Sequence, residues 1–193
     1  MHHNMISRID VSDIEGTYCY CSGSSAAQIR QRISALPLGA VLGTGDYHYL
    51  SLFFLERVSE EFALVLFDNH PDDQPGAFDE GLLTCGSWVK TARESLPNMK
   101  ADFLNSTDIT PENIPIYISI DLDVLSTRFA RTDWDQGDYT LDRLKDEILK
   151  ALSGHKLIGV DICGGLKDPD NSGNKLNKTA IEAICSIVPT MLP

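Results

Sequence analysis

No part of this sequence is apolar for long. The mid-chain run Phe62 to Phe67 is six residues, far short of the ~18 that suggest a membrane span. Met1 to Asp10 lacks the apolar stretch of a secretory signal. Five cysteines without regular spacing make neither a disulfide framework nor the CxxC pair of a structural zinc site, so the expected setting is reducing and cytoplasmic. Basic residues are scarce too. Sixteen Lys and Arg stand against twenty-eight Asp and Glu, a formal net charge of −12. Such a surface repels phosphate backbones and anionic lipid, which argues against nucleic acid and membranes as partners. No repeat, low-complexity tract or long linker divides the chain, and 193 residues suffice for a sizeable core; one domain over 1–193 is expected.

What is present is an alternation of strand-like and helix-like segments. Gly16 to Cys21 is β-prone, and Ala26, Ile29, Ile33 and Leu36 share one face of a helix over Ser24 to Leu36. Leu38 to Gly43 reads as a strand, Tyr47 to Val58 as a helix, and Phe62 to Phe67 as a strand apolar on both faces, which belongs inside a parallel sheet. Gly86 to Leu96 (helix), Lys100 to Leu104 and Pro115 to Ile120 (strands) follow. Thr140 can cap a helix with an apolar stripe of Leu141, Leu144, Ile148, Leu149 and Leu152, stopped at Ser153-Gly154. Leu157 to Cys163 is the last strand, and Thr179 to Glu182 has capping-box spacing for a helix packing Ile181, Ile184, Cys185 and Val188. The fold class this order predicts is α/β, a three-layer α/β/α sandwich with a mainly parallel sheet.

Sites in open parallel sheets form at the carboxyl ends of the strands. Three predicted strand ends carry chemistry: Gly45-Asp46-Tyr47-His48, Asp68-Asn69-His70-Pro71-Asp72-Asp73, and Asp121-Leu122-Asp123. Asp68, His70 and Asp72 recur at i, i+2 and i+4, as do Asp121 and Asp123 at i and i+2, a spacing that points side chains to one side of an extended chain. A single Asp at a strand end commonly caps the following helix. Four brought together in one cleft need cations. Two divalent ions balance the four charges of Asp68, Asp72, Asp121 and Asp123, and oxygen ligands with one or two imidazoles suit Mn²⁺. Trp134 and Asp135, in a polar and aromatic loop, are candidates for the wall of a substrate pocket. Trp88 reads as a core aromatic.

These segments resemble the ureohydrolases, the arginase and agmatinase family. Asp68 to Asp72 (DNHPD) is similar to the family's DAHxD, and Ser119 to Leu125 (SIDLDVL) to its SxDxDxxDP. GDYH at Gly45 to His48 resembles GGDHS, Gly137 to Leu141 the PGGLT segment, and Val160-Asp161-Ile162 the MDI of the last substrate-facing strand, which makes Asp161 a substrate-binding candidate. The resemblance implies an arginase-like fold, association into a homo-oligomer and a binuclear manganese centre. Asp68 and Asp121 would bridge the ions, with His48 and Asp72 completing one site and His70 and Asp123 the other. It further implies hydrolysis of a linear C–N bond in a small guanidine, amidine or related amide by a hydroxide held between the metals, with Asp72 passing its proton to the leaving amine.

The chain departs from the pattern at four places. GDYH has one residue more than GGDHS before its histidine, so either a local bulge delivers His48 or Asp46 takes its place. SIDLDVLSTR lacks the final Asp-Pro. The family's guanidinium-binding Glu, in DIxE, is replaced by Gly164. Cys85 stands where arginases carry a catalytic-site histidine; it is a candidate nucleophile or soft ligand, with a small packed residue as the alternative. Two further readings remain open: a deacetylase-like amidohydrolase with one metal, and a metal-binding relative without catalysis that serves regulation or assembly.

Overall fold

The computed structural model of the chain describes residues 7–75 and 82–188. Its elements in chain order are β1 (Tyr20–Cys21), α1 (Gly23–Ile33), α2 (Leu50–Leu55), β2 (Phe62–Phe67), β3 (Leu83–Thr84), α3 (Trp88–Ser95), β4 (Met99–Leu104), β5 (Ile116–Asp121), α4 (Leu141–Leu152), β6 (Leu157–Cys163) and α5 (Asn174–Ile187). Strands β4-β2-β5-β6 form a parallel sheet in that order. The Leu38–Leu42 stretch extends it: Leu42 N–H donates to Ile162 O, and Val160 and Ile162 N–H donate to Leu38 and Ala40 O.

Alternation along β2 divides the interior in two. Phe62, Leu64 and Leu66 pack with Ile29 and Ile33 of α1, the buried face of α2, and Trp88, Val89 and Ala92 of α3. Ala63, Val65 and Phe67 face the other way, onto Leu144, Ile148 and Ala151 of α4 and Ala180 and Ile184 of α5. Both faces of the sheet are therefore covered, which is why β2 and β5 are buried along their whole length. Each large apolar side chain so buried contributes about 1.5–3 kcal/mol. The fold class is the expected α/β/α sandwich. Among the described residues no helix is long and apolar enough to cross a membrane.

Local expectations need correction at several points. The Gly16 to Cys21 strand shrinks to β1, which pairs antiparallel with β3 outside the main sheet; Cys19, at φ +61°, interrupts the extended chain just before it. The helix expected over Tyr47 to Val58 is a 3-10 turn at Gly45–Tyr47 followed by the short α2. Thr140 does cap α4, accepting from Arg143 N–H, but Leu149 is 48% exposed, outside the buried stripe. Thr179 caps nothing. Asn171 accepts from Gly173 N–H, and Asn174 donates to the Asp168 and Pro169 carbonyls. These bonds stabilise a helix start at Asn174, so Thr179 lies mid-helix and donates to Lys175 O.

Candidate metal centre

The carboxyl ends of β2 and β5 meet at one cavity of about 150 Å³, lined by Gly45, His48, Asp68, His70, Asp72, Gln74, Cys85, Gly86, Asp121, Asp123 and Trp134. All six residues proposed as metal ligands line it. Local geometry, not extended backbone, produces the convergence. Past β2 the chain bends, and Asp72 sits at φ +48°, a left-handed position that aspartate tolerates better than most residues. Past β5 the Asp121 carboxylate accepts from Asp123 N–H and caps a 3-10 turn, Leu122–Val124, that swings Asp123 back to the site. The register Leu66↔Ser119 and Phe67↔Ile120 places the two strand ends side by side.

Two ligand sets emerge, His48-Asp68-Asp121 and Asp68-His70-Asp123, with Asp68 common to both. His48 Nδ1 lies 2.9 Å from Asp72 Oδ2, 3.2 Å from Asp68 Oδ2 and 3.6 Å from Asp121 Oδ2. His70 Nδ1 lies 2.9 Å from Asp123 Oδ2 and 3.6 Å from Asp68 Oδ1. The extra residue of GDYH is absorbed by the 3-10 turn, which leaves His48 at its end facing the cluster. Asp46 points elsewhere, to Thr44 Oγ1, Cys19 Sγ and Lys167 Nζ.

Behind His48 runs a chain of hydrogen bonds. Tyr117 Oη–H and Ser119 Oγ–H donate to the two oxygens of Asp161, each at 2.7 Å. Having spent its proton on Asp161, Ser119 accepts from His48 Nε2–H, 2.9 Å away. A neutral His48 so tethered turns the lone pair of Nδ1 toward three carboxylates. That arrangement is repulsive unless a cation, or a second proton on the ring, stands between. Asp68 Oδ2, buried in the same place, makes no hydrogen bond among the described residues.

The titration behaviour has the same cause. Burial, then the Asp68 charge, lifts Asp121 to about 7; burial, then Asp121 and Asp68, lifts Asp123 to about 9. Asp68, and the charge of Asp123 at closer range, raise His70 to about 9 against the cost of burial. Burial opposes a charged His48, but Asp68 and Asp72 outweigh it and hold its pKa well above the usual value. Crowded carboxylates thus take up protons in place of other positive charge. A donor set of four carboxylates and two imidazoles, with an unsatisfied buried oxygen at its centre, fits two hard divalent cations.

Two other expected site residues are placed differently. Asp161 is fully buried and bonded to Tyr117 and Ser119; it faces the back of His48 and cannot touch substrate. Asp135 is exposed outside the cavity lining, and what it contributes is its carbonyl, which accepts from Asn69 Nδ2. Cys85 does line the cavity, where burial pushes its thiol up to about 12, which favours the neutral thiol. Trp134 lines the cavity as expected. Trp88 is core, yet its indole N–H also donates to Asp72 Oδ2 at 2.7 Å. Gly164, at φ +95°, has no room for a side chain: a Cβ there would collide with Asp121 Oδ1 and lie 2.7 Å from Leu122 N.

Sequence reasoning passed over Ser119 and Tyr117. Ser119 is two residues before Asp121 on one strand and pairs in register with Asp161, so the i, i+2 rule applied backwards from Asp121 would have found it. Ser119→Ala removes the acceptor that orients His48, and metal affinity is expected to fall about 10- to 100-fold with the sheet intact. Metal-binding calorimetry checks this; an unchanged affinity would refute the orienting role.

No family model matches the chain. An uncharacterized protein of Thermotoga maritima is 33% identical over 149 residues, 67% of this chain and 57% of that protein. The chain thus spans little more than half the length of the curated relative it matches. Among solved structures, a hypothetical agmatinase from Burkholderia thailandensis is similar with a TM-score of 0.65 at 17% identity, over 88% of this chain and 67% of that one. Proclavaminate amidino hydrolase from Streptomyces clavuligerus gives a TM-score of 0.65 at 14% identity, over 86% and 69%. The chain has the arginase-like fold, the fold of the proteins whose motifs its strand ends resemble.

Proposed function

We propose that this chain, read as one domain, is a divergent ureohydrolase: a metal-dependent hydrolase of a linear, non-peptide C–N bond in a small molecule. The observation that carries the reading is the pair of ligand sets sharing Asp68 at the carboxyl ends of adjacent parallel strands. Two divalent ions, Mn²⁺ by donor chemistry, would be held by His48, Asp68, Asp72 and Asp121 and by Asp68, His70, Asp121 and Asp123. Such ions supply Lewis acidity and activate water. The chain's own residues do the rest. Asp161 and Ser119 fix the tautomer of His48. Asp72, raised by burial and held by the Trp88 indole N–H, would take a proton from water and return it to the leaving nitrogen. Trp134, Cys85 and Gln74 wall the cavity.

The test is elemental analysis after manganese loading, followed by a screen for urea or ammonia release from guanidines, amidines and amides. About two ions per chain and turnover of at least one class, in the ordinary range of ~1–1,000 s⁻¹, are expected. Two ions without turnover on any class would favour the non-catalytic reading, one ion the deacetylase-like one, and none would overturn the proposal.

A further inference from the structure

Among the described residues, the cavity contains charge only in its metal-ligand residues. The rest of its lining is Gly45, Gln74, Cys85, Gly86 and Trp134, an amide, a thiol, an indole and two backbones. Among the described residues, the other acidic side chains nearby are committed or turned away. Asp161 is sealed behind His48, and Asp46 is paired with Lys167. Asp135 is outside the lining, and position 164 cannot carry any side chain without striking Asp121. Two divalent cations would match the charges of Asp68, Asp72, Asp121 and Asp123, so none of these four carboxylates is left over to pair with an incoming cation. Desolvating a cation without a partner is costly.

Trp134 has a different stamp. It is 41% exposed, yet its place is fixed. Gly45 leaves room for it, since a Cβ there would come within 2.7 Å of Trp134 Cδ1. Its ring meets His70 edge-on, with centroids 6.0 Å apart. Its loop is tied down by Asn69 Nδ2 to Asp135 O, Thr132 Oγ1 to Trp134 O, and Gly137 N–H to Asp123 O at 2.7 Å. An indole held rigidly at the rim, beside a ligand histidine, is a stacking platform for a flat group.

From this we propose, resting on the hydrolase reading above, that the site takes a small uncharged planar amide or ureide stacked on Trp134 and rejects guanidinium cations. Gln74 offers both a donor and an acceptor to such a group. With a ureide, the C–O bond forms from water and a C–N bond breaks. One water proton leaves on the nitrogen, released as ammonia, and the other stays on the carbamic acid product.

N-methylurea and methylguanidinium have nearly the same shape and differ in charge, so they isolate the question. Manganese-loaded protein, its metal content measured first, is titrated with each while tryptophan fluorescence and ammonia or urea release are followed. N-methylurea is expected to change the fluorescence and to bind at least about 10-fold more tightly than methylguanidinium. Trp134→Ala should keep both ions, lose the fluorescence change and weaken N-methylurea about 5- to 10-fold. Equal or tighter binding of methylguanidinium, no binding of either probe, or a Trp134→Ala affinity within about twofold of the parent would overturn this inference while the hydrolase reading stands. Loss of the metal stoichiometry removes the charge balance and overturns both.

Discussion

Asp68→Ala and Asp121→Ala are expected to cut bound manganese by well over half, whereas Asp73→Ala leaves it nearly intact. Asp68 is the oxygen source common to both ligand sets, and Asp121 Oδ2 faces His48 Nδ1. Removing either takes a donor from the centre while the remaining carboxylates still need compensation. Asp73 is the control because it is next to Asp72 in sequence and turned away, its carboxylate paired with Arg93 at 3.0 Å. Metal content after desalting gives the first readout. Melting curves give the second: at 100 times the dissociation constant, metal stabilises the fold by about 2.7 kcal/mol, or roughly 5–10 °C for a chain of this size. Asp68→Ala should lose that increment and Asp73→Ala should keep it. Equal losses in the two variants would mean that the centre is not where the geometry puts it.

The fold was legible in the sequence wherever burial is two-sided. Phe62 to Phe67 matches β2 to the residue, because a strand covered on both faces needs an uninterrupted apolar run, and Leu157 to Cys163 matches β6 although Asp161 interrupts it. The polar start of α5 was not legible. The stretch before α5 resembles a loop, and only the side-chain bonds of Asn171 and Asn174 reveal that it opens a helix. Of the two-residue β1–β3 ladder, β1 was read too long, over Gly16 to Cys21, and β3 carries too little pattern to be read.

The candidate site was legible in composition and not in direction. Spacing gathered carboxylates and histidines that line one cavity, but on a mistaken premise, since a bend and a 3-10 turn bring them together where straight strands were expected. Asp161 was misassigned for the same reason. A residue's side of the sheet decides whether it meets substrate or the back of a ligand, and only register with Ser119 fixes that side. The resemblance suggested a missing carboxylate at position 164; the structure adds that the backbone there, pressed on Asp121, has no place for one.

Stability should depend on pH with opposite slopes in the chelated and the metal-loaded protein. In the folded chain without metal, Asp121 and Asp123 titrate near about 7 and about 9, against a usual 3.8. Folding then favours their protonated forms, so the stability they contribute is whole below 3.8 and is lost as pH rises through those raised values. His70, raised from 6.5 to about 9, and His48, raised well above 6.5, act in the same direction. Their contribution is whole below the unfolded value and disappears as pH rises through the folded one. Asp68 is lowered and works oppositely, but only in acid below 3.8. Chelated protein should therefore melt at progressively lower temperature between about pH 5.5 and pH 8.5. Metal binding requires the deprotonated ligands, so its stabilisation grows across the same interval. Melting curves at three pH values, with chelator and with manganese, should diverge as pH rises; curves that stay parallel would show that the protons and the metal do not compete for the same six side chains.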